Sequence, residues 1–119
     1  MRSILLVDDE PEILAAWRLI LESEGYQVCC ASNGAEALAC LRDRIPDLIV
    51  TDWMMPVMGG SEFCRRLKAM PELASVPILV NTAVPPPATE AQCWSACLLK
   101  PIGADLFLNT IARLCGTPH

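Results

Sequence analysis

Residues 48–60 read LIVTDWMMPVMGG, and this stretch decides the fold. Leu48, Ile49 and Val50 form a continuous apolar run. A parallel strand covered on both faces reads this way, because it has no solvent side that requires polar alternation. The run ends in Thr51 and Asp52, and Pro56, Gly59 and Gly60 then force a loop. Asp52 is therefore predicted at the carboxyl end of a core strand. In open α/β sheets that rim is where ligands and chemistry collect. Taken alone, an Asp at this place also reads as a turn former or a helix cap.

Toward the N-terminus, Ile4 to Val7 is a second apolar run, and it ends in Asp8 and Asp9. Pro11 suits a first helical turn. Ile13, Leu14, Trp17, Ile20 and Leu21 recur at helical spacing, which predicts a helix from about Glu12 to Glu24 that Gly25 stops. Val28 to Ala31 reads as a strand. Asn33 with Glu36 forms a helix-starting box, Ala37, Leu38 and Leu41 supply the inner face, and Pro46 closes the segment. Beyond the quoted stretch, Ser61 is expected to cap a helix that buries Phe63, Leu67 and Met70. Pro77 introduces a strand over Ile78 to Asn81 that ends at Thr82. Leu98 and Leu99 form the last strand, which ends at Lys100. Phe107, Leu108, Ile111 and Leu114 mark a final helix.

Strands alternating with helices mean parallel strands joined by right-handed crossovers. The fold class is thus α/β: one domain over 1–119, doubly wound, with a five-stranded parallel sheet in the order 2-1-3-4-5. The connection from Thr82 to Lys100 is the irregular one. Pro85, Pro86 and Pro87 cannot propagate a helix. The crossover helix expected there is predicted to be truncated or unwound, with a turn or two at most over 89–94.

A net charge of -5 and the lack of any Lys/Arg run argue against direct nucleic-acid binding. Asp8, Asp9 and Glu10 cut the first apolar run far short of a signal peptide or a membrane span, so a cytoplasmic protein with no membrane partner is expected. Met1 directly before the first strand suggests a true start. The seven cysteines are odd in number and contain no CxxC. They read as small buried apolar residues in a reducing compartment, with little support for metal or redox use. Cys93 and Cys97 would be neighbours if helical.

A parallel sheet puts all carboxyl ends on one rim. Asp8, Asp9, Asp52, Thr82 and Lys100 are therefore predicted around a single site. Clustered carboxylates suit Mg²⁺, which prefers oxygen ligands. One neutralised carboxylate can then attack phosphorus to give an acyl phosphate.

VDDEP at the first strand end, DWMMPVMGG with Asp52, Thr82-Ala83 and Lys100-Pro101 closely resemble the receiver domain of two-component response regulators. The resemblance spans essentially the whole chain and implies a flavodoxin-like, CheY-like fold. It implies that Asp52 accepts a phosphoryl group from a sensor histidine kinase or phosphotransfer protein, and that a downstream protein target reads the result. It implies that Asp9, Asp52 and the backbone carbonyl of Met54 bind Mg²⁺, with Asp8 helping through water. Lys100 would pair with the phosphoryl oxygens, Thr82 would move to hydrogen-bond them, and the Lys100–Pro101 bond would be cis. No enzymatic activity is implied beyond self-phosphorylation from a phosphodonor and slow self-dephosphorylation.

The sequence departs from the family in places. The family's Tyr or Phe three residues before the lysine is Cys97 here, so the usual threonine-to-aromatic relay cannot operate as written, and Trp94 is a candidate substitute. Met54 and Val84 occupy the two positions that often help place a hydrolytic water, and neither side chain holds water well, which predicts slow self-dephosphorylation. Three alternatives compete with this reading. A phosphatase using an aspartyl phosphate would carry DxD after the first strand. A nucleotide-binding domain would carry GxGxxG or GxxxxGK[ST]. A pseudo-receiver would keep the fold as a docking module with little phosphorylation. A receiver excised from a larger regulator or hybrid kinase is a further option.

Overall fold

The computed structural model describes residues 2–86 and 92–116. Its strands are β1 (Ser3–Val7), β2 (Gln27–Ala31), β3 (Leu48–Asp52), β4 (Ile78–Thr82) and β5 (Ala96–Leu99). All pair in parallel, in the order β2-β1-β3-β4-β5 that the alternating pattern predicts. The helices are α1 (Pro11–Ser23), α2 (Gly34–Leu41), α3 (Gly60–Ala69) and α4 (Ala104–Cys115).

The sheet has two apolar faces because side chains alternate along each strand. Leu5, Val7, Ile49, Ile78 and Val80 meet Ala37 and Leu41 of α2 and Phe63 and Leu67 of α3. On the other side Ile4, Leu6, Leu48, Val50 and Leu79 meet Leu21 of α1 and Phe107 and Ile111 of α4. α1 and α4 also touch directly, with the Trp17 and Phe107 ring centroids 3.9 Å apart. Burial on both faces explains why β1, β3 and β4 are apolar without alternation.

The helix ends follow local chemistry. Pro11 opens α1, and Gly25, at φ 98°, follows its end. Asn33 Oδ1 accepts the Glu36 amide at 2.9 Å. The return bond reaches Ser32, whose amide donates to Glu36 Oε1 at 3.1 Å. The expected cap of α3 is corrected: its N-cap is Gly59, and Ser61 lies within the first turn, accepting from Arg65 Nη1 at 2.9 Å. The reason is close packing. The Gly60 amide donates to the Trp53 carbonyl at 2.8 Å, and a Cβ on Gly60 would stand 2.8 Å from Trp53 Cα. Only glycine lets the helix start this tightly against the end of β3.

Among the described residues no helix lies between β4 and β5; 83–86 and 92–95 are irregular. Part of the helical turn expected over 89–94 falls on 87–91, outside the described residues. Cys93 sits in the irregular approach and Cys97 on β5, so they are not helical neighbours. The Lys100–Pro101 peptide is cis.

Candidate functional site

Strand alternation builds the site. Asp8 follows Leu6 by two residues, Asp52 follows Val50 and Lys100 follows Leu98. Leu6, Val50 and Leu98 all pack on the α1/α4 side of the sheet. Period-two alternation therefore sends all three polar side chains to that side. There Lys100 Nζ lies 3.2 Å from Asp8 Oδ2 and 3.2 Å from Asp52 Oδ2. Residues 92 and 48 positions apart from the lysine meet in one hydrogen-bonded cluster.

The other carboxylate oxygens are held by backbone. Asp8 Oδ1 accepts the Glu10 amide at 3.0 Å. Asp52 Oδ1 accepts the Trp53 amide at 2.7 Å and, more weakly, the Met54 amide at 3.4 Å. Each carboxylate thus has one oxygen fixed by main chain and one turned to the ammonium. Both carboxylates are buried. Burial pushes the Asp8 carboxyl above its ordinary range, against the pull of the Glu10 amide and the Lys100 ammonium. Burial also works to lower the Lys100 pKa, but the adjacent Asp8 and Asp52 outweigh it and hold the ammonium above its ordinary value.

Asp9 is exposed, and carboxylate oxygens of Asp8, Asp9 and Glu10 all lie within 4.8 Å of one another. Glu10 was not among the residues expected at the site, although the sequence shows it as the third carboxylate of an unbroken run. Thr82 is buried at the end of β4, on the parity of Val80 and not of Asp52. Its hydroxyl donates to the Val84 carbonyl at 3.0 Å and accepts the Val84 amide at 3.3 Å. Its link to the lysine is through backbone: the Lys100 amide donates to the Thr82 carbonyl at 2.8 Å. The structure therefore brings Asp8, Asp52 and Lys100 together, sets Asp9 beside them, and turns the Thr82 hydroxyl to its own loop.

On the loops after β3 and β4 the rim carries Met54 and Val84, both exposed. Trp53 packs into the core, and Trp94 meets it edge-on, centroids 5.3 Å apart and planes at 77°. Cys97, at the expected aromatic position, is half-buried against the same core. Asn81, paired with Asp52 across β3 and β4, is buried with its Oδ1 unpartnered. The only hint of it in the sequence is one amide at the end of an apolar strand. No helix among the described residues is long and apolar enough to cross a membrane.

Comparison with known proteins identifies the family. The family model described as "Response regulator receiver domain" matches residues 4–112. The response regulator DivK of Brucella anthropi is 31% identical over 119 residues, covering 97% of each chain. The regulatory protein PhoB of Rhizobium meliloti is 42% identical over 80 residues, covering 67% of this chain but 35% of its own length. The chain thus aligns with about a third of the first such curated relatives. The receiver domain of a histidine kinase from Syntrophus aciditrophicus superposes with a TM-score of 0.89 at 33% identity, covering 97% of this chain and 90% of that one. The receiver domain of a Pseudomonas aeruginosa sensor histidine kinase, solved with magnesium coordinated in its active-site cleft, superposes at 0.87 with 27% identity, covering 98% of both chains. A five-stranded 2-1-3-4-5 sheet with a lysine spanning two strand-end aspartates, matched over nearly its whole length, makes this chain a member of the response regulator receiver family of two-component systems.

Proposed function

We propose that the chain, as a single receiver domain over 1–119, is a phosphorylatable switch in which Asp52 accepts a phosphoryl group from a sensor histidine kinase or phosphotransfer protein. The observation that carries this reading is Lys100 Nζ at 3.2 Å from both Asp8 and Asp52. A buried carboxylate with one oxygen anchored by the Trp53 amide and the other facing the Lys100 ammonium is a pre-oriented nucleophile. Its oxygen attacks phosphorus, the donor's bond to phosphorus breaks, and an acyl phosphate remains on Asp52.

The residues present fit Mg²⁺. The donors are all hard oxygens, and Asp8, Asp9 and Glu10 converge within 4.8 Å. Asp9, Asp52 and the Met54 carbonyl are the proposed ligands, with Asp8 acting through water. Bound there, Mg²⁺ supplies neutralisation of the carboxylates and of the transferring oxygens. Lys100 exchanges its bond to Asp52 for the new phosphoryl oxygens. The Thr82 hydroxyl leaves Val84 to donate to the same group. The added charge of about -1.5 to -2 then biases an existing conformational equilibrium. A downstream protein reads the shift, with no direct nucleic-acid or membrane contact, in the cytoplasm. Self-dephosphorylation is slow, because Met54 and Val84 offer a water nothing to bond. Replacing Met54 with Asn should shorten the half-life of the phosphorylated form.

The test is incubation with Mg²⁺ and acetyl phosphate followed by intact mass spectrometry. One added phosphoryl group, lost in Asp52→Asn and in chelator, is the expected result. No addition to the wild type, or undiminished addition to Asp52→Asn, overturns the proposal.

A further inference from the structure

On the far side of the sheet from the aspartates, β2 and α2 bring two thiols together. Cys29 Sγ stands 3.7 Å from Cys40 Sγ. Both cysteines are free, Cys29 exposed and Cys40 half-buried. We propose that Cys29 and Cys40 form a reversible dithiol–disulfide site, oxidised by a low-molecular-weight disulfide of the glutathione class. This proposal is independent of the phosphoryl reading.

Several features of the molecule support it. A disulfide needs the sulfurs to close to about 2.05 Å, with β-carbons about 3.5–4.5 Å apart. The two sulfurs, 3.7 Å apart, are already in contact and have less than about 2 Å to close. Strand alternation explains the encounter. Cys29 shares the parity of Ala31, which packs on the α2/α3 side, while its neighbour Cys30 packs on the α1/α4 side. Cys40 lies on the face of α2 that packs against the core on the α2/α3 side of the sheet. The two thiols also line a cleft of about 230 Å³ together with Gln27, Leu41, Asp43 and Arg44, so a small reagent can approach them. Arg44 and Asp43 line that cleft with opposite charges, which suits a zwitterionic peptide disulfide.

The chemistry balances. The exposed Cys29 thiol loses its proton and attacks one sulfur of the reagent disulfide, and one reagent thiol leaves. Burial and the adjoining Cys29 raise the Cys40 thiol above its ordinary value, which keeps it protonated and leaves it to the second step, where the mixed disulfide stands beside it. There Cys40 loses its proton and attacks Cys29 sulfur, and the second reagent thiol departs. Two electrons and two protons pass from the protein to the reagent. The product staples edge strand β2 to α2. It also braces the end of β2, where the Ala31 carbonyl accepts the Asp8 amide at 3.1 Å.

The test uses the full chain, reduced and then equilibrated with mixtures of reduced and oxidised glutathione. Alkylation should report five free thiols of the seven, with a mass lower by two hydrogen atoms. Cleavage after Glu36 should leave the Cys29 and Cys40 fragments joined until reductant is added. This linkage should persist in Cys30→Ser and vanish in Cys29→Ser. Cys40→Ser should instead hold a glutathione adduct at Cys29. The oxidised wild type should melt several degrees higher than the reduced form. A linkage that maps to Cys30, or glutathione adducts that accumulate on the wild type without loss of the two hydrogens, overturns the proposal. Should a variant fold poorly, tandem mass spectrometry of the linked wild-type peptides, breaking the chain between Cys29 and Cys30, decides the matter.

Discussion

Val57 should be a costly residue where it stands, and replacing it with Gly should stabilise the protein. Its φ is 69°, the sole positive value at a non-glycine among the described residues. The Met58 amide donates to the Pro56 carbonyl at 2.7 Å, so Val57 is the centre of a γ-turn with positive φ, the rare and strained form. A β-branched side chain makes that conformation worse, at about 1–3 kcal/mol. Nothing repays it locally, since Val57 is 82% exposed. Glycine removes the Cβ clash and adds back about 0.5–1 kcal/mol of backbone entropy. The net gain is about 1 kcal/mol. With unfolding entropy near 2.1 cal/mol/K per residue, a chain of this length should melt about 4 °C higher. Val57→Ala keeps a Cβ and should gain much less. Thermal and urea melts of both variants make the assay. Equal gains for Ala and Gly, or no gain for Gly, would refute the strain argument. The turn lies five residues from Asp52, and strain of this kind gathers at functional loops. Relief of it should therefore also change the rate of phosphorylation by acetyl phosphate.

Four other substitutions probe the site and its support. Gly60→Ala drives a Cβ to 2.8 Å from Trp53 Cα and 2.9 Å from the Asp52 carbonyl. The contact is with backbone, so the urea midpoint should fall by the equivalent of about 1–3 kcal/mol. Asn81→Val removes a buried oxygen with no partner and adds a good strand former. It should raise stability by about 1–3 kcal/mol, and a lowered urea midpoint would show that the amide is satisfied in solution. Trp94→Ala loses the edge-on contact with Trp53, worth about 0.5–1.5 kcal/mol beyond burial. An unchanged urea midpoint would mean that the pair contributes nothing, and unchanged phosphorylation-dependent partner binding would remove Trp94 as the substitute relay. Lys100→Met leaves the Asp8 and Asp52 carboxylates without their shared cation. Its melting temperature should fall in chelator and recover with Mg²⁺ by more than the wild type gains, as differential scanning fluorimetry would read.

What could be read from the sequence was what periodicity controls. Ile4–Val7, Leu48–Val50 and Ile78–Val80 are buried throughout, and an unbroken apolar run means this in a parallel sheet. Their carboxyl ends share a rim by topology, so the strand pattern alone groups Asp8, Asp52 and Lys100. β5 was harder to bound, since an edge strand is half covered and its pattern is diluted. The cap of α3 was misplaced because Ser61 is the better capping residue by its chemistry. The close approach to Trp53 nevertheless requires glycine, and backbone contact outranks capping preference there.

The details that failed to show in sequence all depend on two elements meeting at a set phase. Thr82 ends its strand as expected, but one step of parity puts it on the opposite face from Asp52, and the bend at 83–84 offers its hydroxyl a nearer partner in Val84. Such a bond is local, so it costs little to break when a better acceptor arrives. This is the property a switch residue needs, and it means that the resting position of Thr82 does not weaken the phosphoryl reading. Cys29 and Cys40 are hidden for the same reason. Their spacing resembles no motif, because their meeting depends on which face of β2 one occupies and on the turn of α2 that carries the other. Parity along a strand can be predicted once its register is known, whereas the rotation of a helix about its axis is fixed only by packing. Residues that act through strand ends are thus visible early in a fold of this class, and residues that act through a strand–helix contact become visible only in three dimensions.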